Sequence, residues 1–129
     1  MKQVLLVGLG GCIGSVFRYK LGEWVLHHHA ADWRFPAGTF AVNVLGCFAA
    51  GLLAGLVERQ HLFSPDTRLF LFTGLLGGFT TFSAFGVETV FLLRRGEVWV
   101  ALGYILSSLS LGIALLWLGM LVIPHAKPN

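Results

Sequence analysis

The stretch Gly74-Leu75-Leu76-Gly77-Gly78-Phe79-Thr80-Thr81-Phe82-Ser83-Ala84-Phe85-Gly86 decides how this chain is read. It lies inside a segment, about residues 67–93, that is apolar on either side of it and stops at Arg94-Arg95-Gly96-Glu97. Two adjacent glycines followed by two β-branched threonines make a weak helix interior, and this one falls where a membrane-crossing helix would be at mid-bilayer. A break is predicted there. Backbone groups freed at that depth must be buried in protein or line a polar cavity, because lipid offers no hydrogen bonds. The released carbonyls could hold a small hard cation, and oxygen-only ligation suits an alkali ion better than a transition metal. The plainer alternative is close packing at a small-residue patch.

Outward from that string, the chain divides into segments long enough to cross a hydrocarbon core, which takes about 20 apolar residues for about 30 Å. The first, 4–26, is uncharged from Val4 to Phe17 and carries Arg18, Lys20 and Glu23 near or beyond the far interface. It is expected to be a span in preference to a signal peptide, because those charges interrupt any apolar run leading to Ala30-Ala31. The second, 36–57, is uncharged, opens with Pro36 in the first turn, where a missing N–H does no harm, and stops at Glu58-Arg59-Gln60-His61. The third, 67–93, starts near Asp66, which is placed to cap it after Pro65. The fourth, 98–123, is uncharged, ends at Pro124 and is long enough to cross with some tilt.

Composition agrees. Of 129 residues, 56% are hydrophobic and 12% charged, with a mean hydropathy of +0.78, against about 25% charged in an average soluble domain. A chain this small has too much surface to keep such a composition dry in water. The expected fold is an all-α integral membrane protein: one domain, 1–129, of four transmembrane helices in the lipid bilayer, the third broken at mid-membrane. The net charge of +3 is far from the basic stripe of a nucleic-acid binder.

The nine Lys and Arg leave orientation almost unbiased, although their balance between loops normally sets it. Lys2, Arg59, Arg68 and Lys127 fall on one side; Lys20, Arg34, Arg94 and Arg95 fall on the other, with Arg18 near its edge. A chain with no preferred orientation inserts both ways, and two opposed copies can pair about an axis in the membrane plane. That pairing reproduces the inverted repeat many transporters carry within one chain. A dual-topology antiparallel homodimer is therefore expected.

Several polar groups inside the spans are candidates for chemistry. Phe82 and Phe85 share a helix stripe among Thr80, Thr81 and Ser83, and the electropositive edge of a phenyl ring can attract an anion without a full charge. Thr39, Asn43 and Gly46 share one face of the second span. Asn43 could donate its amide N–H to a passing anion or bond a neighbouring helix. Tyr104 and Ser108 share a face of the fourth span, near Ser107 and Ser110. Glu88, an acid within a span, is either a proton carrier or an acceptor that orients Tyr104 or a threonine hydroxyl. Arg18 could make a vestibule positive or snorkel to a headgroup.

Other features carry less. Gly8-Leu9-Gly10-Gly11-Cys12-Ile13-Gly14 is no dinucleotide loop, since Ile13 stands where G-x-G-x-x-G needs glycine. Gly10 with Gly14, and Gly51 with Gly55, read as helix contacts. Cys12 and Cys47 read as packing residues. The consecutive His27-His28-His29 cannot all face one side of a helix, and no cysteine stands at ligand spacing.

Taken together, Gly11-Cys12-Ile13-Gly14 through Arg18-Tyr19, Gly38-Thr39 with Val42-Asn43 and Gly46, and above all Gly77-Gly78-Phe79-Thr80-Thr81-Phe82-Ser83-Ala84-Phe85 resemble the Fluc (CrcB-type) fluoride channel family. The resemblance extends over all four spans. It implies passive export of fluoride across the cell inner membrane through two pores of an antiparallel dimer, with no catalysis. It also implies Phe82 and Phe85 as aromatic pore residues, Asn43 as a pore amide, and a central structural Na⁺ held by the carbonyls of Gly77 and Thr80. The competing expectation is a proton-coupled exporter of organic cations, also small and dual-topology, with Glu88 as its exchange carboxylate.

Overall fold

A computed structural model describes residues 1–28 and 34–125. His29, Ala30, Ala31 and Lys127 lie outside the described residues. Helix α1 is Lys2–His28 and α2 is Ala37–Gln60. Three consecutive segments, Pro65–Arg68, the π-helical Leu69–Leu76 and Gly77–Phe79, run on as one rod, α3 (65–79). After the break come α4, Phe82–Arg94, and α5, Val98–Val122. The described chain thus holds four helical segments long and apolar enough to cross a membrane, with α3 and α4 forming the third.

The third span is interrupted where its glycines and threonines predict. Thr80 (φ −82°, ψ 156°) and Thr81 (φ −147°, ψ 117°) are extended, while the residues on either side are helical. The Thr81 hydroxyl then restarts the helix by accepting from Ala84 N–H at 3.2 Å, an N-cap that satisfies one of the free donors of the new first turn. Upstream, Gly77 N–H reaches back to Phe72 O, the wider hydrogen bonding of a π turn, which is frequent at functional sites.

The start of this span differs from the expectation. Ser64, not Asp66, caps it: Ser64 Oγ accepts from Thr67 N–H at 3.3 Å. Asp66 instead receives Lys2 Nζ at 2.6 Å, a long-range ion pair that fastens the first residues of α1 to the first turn of α3. The turn from α4 to α5 is a Schellman motif. Glu97 N–H bonds Leu92 O and Gly96 N–H bonds Leu93 O, each at 3.0 Å, and Gly96 supplies the positive φ of 77° that glycine adopts without a Cβ clash.

Two helix pairs make the body: α1 packs on α3, and α2 packs on α5. Small residues let their backbones approach, as they do wherever membrane helices cross closely. A Cβ on Gly10 would stand 2.7 Å from Phe70 O, and one on Gly14 would strike Leu75 O. Gly78 faces the Gly11 backbone across the same seam. In the second pair a Cβ on Gly51 would strike Leu116 O, and one on Gly119 would lie 2.6 Å from Phe48 O. Arg59 and Gln60 close the far end of this pair by donating to Ile123 O and Pro124 O, both at 2.7 Å. Outward-facing side chains are apolar, Leu106 and Ile113 among them. Trp24 and Trp99 are exposed near one end of the bundle and Trp117 nearer the other, the distribution of an interfacial aromatic belt.

Candidate functional site

The break is held by one side chain from a different helix. Asn43, on α2, donates Nδ2–H to Thr81 O and accepts Thr81 N–H on Oδ1, both at 2.8 Å. A primary amide presents a donor and an acceptor side by side, so Asn43 replaces the backbone partners that Thr81 gives up by leaving the helix. Its interhelical bond and its place at the cavity coexist, because only one of its two N–H bonds is engaged. Thr80 Oγ1 turns back to Leu76 O at 2.9 Å. Arg18, on α1, extends Nη1 to within 3.4 Å of Thr80 O, which sets a guanidinium beside the break. Thr81 N–H would close on Gly77 O in an unbroken helix, so the Gly77 carbonyl loses its helical donor.

Two cavities flank the break, and Thr81 lines both. The smaller, about 320 Å³, is lined by Asn43, Thr80, Phe82, Phe85 and Ser108, with Gly46, Cys47 and Leu76 among its other walls. The Phe82 and Phe85 rings are tilted with centroids 5.6 Å apart, and Phe82 is 81% exposed. Ser108 Oγ is buried with no partner, an uncommon state for a hydroxyl away from water. Cys47 was legible only as packing, although it stands four residues after Asn43 and so on the same helical face.

Thr39, Ser83, Glu88 and Arg18 line the other, larger groove. There Glu88 accepts Thr39 Oγ1–H at 2.6 Å on one carboxylate oxygen and Tyr104 O–H at 2.7 Å on the other. The Tyr104 ring is fully buried against Phe85, centroids 5.0 Å apart, and against Phe35 at 5.4 Å. The structure therefore brings Asn43, Phe82, Phe85 and Ser108 together. It sets Thr39, Glu88 and Tyr104 behind Phe85 as a hydrogen-bonded triad whose hydroxyl protons already have an acceptor. Ser83 lies outside that triad, with its Oγ 3.3 Å from Thr81 Oγ1.

Four spans long and apolar enough to cross a membrane, one of them broken beside two cavities that set a few polar groups among apolar walls, have the make-up of a polytopic membrane protein. The family model of CrcB-like protein, Camphor Resistance (CrcB), matches residues 5–120. The chain is 56% identical over 119 residues to the "Fluoride-specific ion channel FluC" of Methylobacillus flagellatus, covering 92% of each chain. It is 48% identical over 122 residues to the protein of that name from Rhizobium etli, covering 95% of this chain and 96% of the relative. With the one from Oceanobacillus iheyensis it shares 43% identity over 127 residues, 98% and 95% of the two. The chain belongs to the CrcB/FluC fluoride channel family, a family of membrane channels and not of enzymes. The exporter expectation built on Glu88 is set aside by that membership.

Proposed function

We propose that this chain, acting as a single four-helix domain, is a fluoride channel that lets the ion leave the cytoplasm passively. Its path runs through the cavity of Asn43, Phe82, Phe85 and Ser108. The observation that carries the reading is the meeting, in that one cavity, of a buried hydroxyl without a partner, an amide with an N–H to spare and two phenyl rings. Fluoride is small, strongly hydrated and a strong acceptor, so a narrow path must offer N–H and O–H donors in place of water. Ring edges add weak attraction without trapping the ion. Thr39, Ser83, Glu88 and Tyr104 border the onward path, where rotation of a hydroxyl away from Glu88 would present it to the ion. Arg18 makes the approach from the larger groove positive. An inside-negative potential drives an anion outward by about 2.3 kcal/mol per 100 mV, so no other energy source is required.

The working unit is an antiparallel homodimer with two such paths. The even Lys and Arg split supports it, as does the exposed polar and aromatic surface of Phe82 and Ser83 beside the break, which a second copy would cover. A structural Na⁺ at the dimer centre fits the same surface: Gly77 is exposed and its carbonyl lacks its helical donor, while Thr80 O engages Arg18 through only a long bond of 3.4 Å. A carbonyl oxygen has two lone pairs, so Thr80 can serve both. The ion would join the two copies by oxygen ligation.

In liposomes, purified protein is expected to give rapid, voltage-driven fluoride efflux with far less chloride flux and no proton coupling. Efflux no faster than from protein-free vesicles would refute the reading. For the cation, exhaustive sodium removal is expected to dissociate the dimer and stop flux, with recovery on adding sodium back; unchanged assembly and flux would count against it.

A further inference from the structure

Helices α2 and α5 lie side by side in one register. A Cβ on Gly112 would stand 3.3 Å from Cys47 Sγ, one on Gly51 would strike Leu116 O, and one on Gly55 would lie 3.1 Å from Met120 O. Each four-residue step along α2 therefore meets a four-residue step along α5. One step back from Cys47 and Gly112 stand Asn43 and Ser108, and Asn43, Cys47 and Ser108 all line the small cavity. A path that passes Asn43 and Ser108 thus meets the Cys47 thiol one turn on, about 6 Å along the helix. Cys47 is half-buried, and Gly112 has no side chain to cover it.

The walls of this cavity decide what such a thiol can hold. Its lining side chains include no carboxylate and no imidazole, so a hard divalent cation finds neither a counter-charge nor the roughly six or more oxygens it requires. A soft monovalent cation needs neither. Thiolate sulfur selects soft ions such as Cu(I), and Ag⁺ is of the same kind. The thiol does not act alone: Ser108 Oγ, buried in the same wall with no partner, has lone pairs to offer as a second donor. On ligation the Cys47 S–H bond breaks, an S–Ag bond forms, the proton passes to water and no oxidation state changes. The resulting pair is formally neutral, so it escapes the penalty of an unpaired charge in apolar surroundings.

We propose that Cys47 makes the small cavity a binding site for a soft monovalent metal ion, and that an ion held there plugs the fluoride path. The inference rests on the fluoride-conduction reading. It also makes Cys47 a path-lining residue, whose S–H is the weak donor between Asn43 and the apolar wall of Ala50 and Leu116.

The test is planar-bilayer fluoride current titrated with silver fluoride, with chloride excluded because it precipitates the metal. In the parent the current is expected to fall to about a tenth at ten times the half-blocking concentration, as single-site occupancy requires, and to recover when dithiothreitol removes the silver. Cys12→Ser, which changes the exposed cysteine of α1, is expected to be blocked like the parent. Cys47→Ser is expected to carry a current that silver does not change. Silver binding in detergent gives a readout that needs no conduction: Cys12→Ser/Cys47→Ser is expected to bind one ion per chain fewer than Cys12→Ser. Parent current that persists in saturating silver, block retained in Cys47→Ser, or equal binding by the two detergent samples would overturn this inference alone. Absence of fluoride current in the parent before silver is added would overturn the conduction reading and the plugging with it.

Discussion

Asn43→Ala is expected to lower fluoride flux by about ten- to a hundredfold, the rate equivalent of losing one hydrogen bond to a charged group. Two effects act together. The substitution removes the donor that fronts the small cavity, and it strips both partners from Thr81 N–H and Thr81 O, groups that lipid cannot satisfy. Asn43→Asp separates the two. It keeps an acceptor for Thr81 N–H but has no N–H for Thr81 O or for the ion, and it adds a like charge to an anion path. Flux through the aspartate variant is expected to fall at least as far, with the dimer still eluting as one species. Liposome efflux beside size-exclusion chromatography checks both, and parent-like flux in either variant would remove Asn43 from the path.

Gly14→Ala is expected to destabilise the folded protein by about 1–3 kcal/mol, the usual cost of forcing extra volume into close packing. The new methyl would meet the Leu75 carbonyl and the backbone of Phe79 and Gly78, atoms that cannot swing aside as a side chain would. Gly8→Ala is the matched control on the same helix, since nothing of this chain lies within 4 Å of a Cβ there and alanine is the better helix former by about 1 kcal/mol. Thermal unfolding in detergent should show a clear drop for the first and none for the second. An equal response would mean that the seam between α1 and α3 is not closely packed at Gly14.

The contrast between these glycines shows what a sequence can reveal of this fold. The spans and the break were legible because each depends on local composition: apolar runs of sufficient length, and a Gly-Gly-x-Thr-Thr interruption that weakens a helix wherever it stands. Gly10, Gly14, Gly51 and Gly55 were legible as contact faces by spacing. What closes the break was not, because Thr81 finds its partner 38 residues away on α2. Nothing near Asn43 selects that partner over an ion or another helix. The same limit left Glu88 open between proton carrier and acceptor for Tyr104 or a threonine, since its two donors come from α2 and α5, and it hid the diversion of Asp66 to Lys2. The π-helical stretch Leu69–Leu76 left no signal, since its residues suit an ordinary helix and only the tertiary fit against α1 accompanies the wider turns.

Fluoride chemistry itself entered through kinship, and the place proposed for the ion to lose its water is argued from the geometry. The decisive observation is the reversal potential of a planar bilayer holding the purified protein, with fluoride on one side and chloride on the other. Passage through the Asn43–Phe82–Phe85–Ser108 cavity predicts a potential set by the fluoride gradient and unmoved by a proton gradient. A potential that follows chloride or protons instead would contradict it.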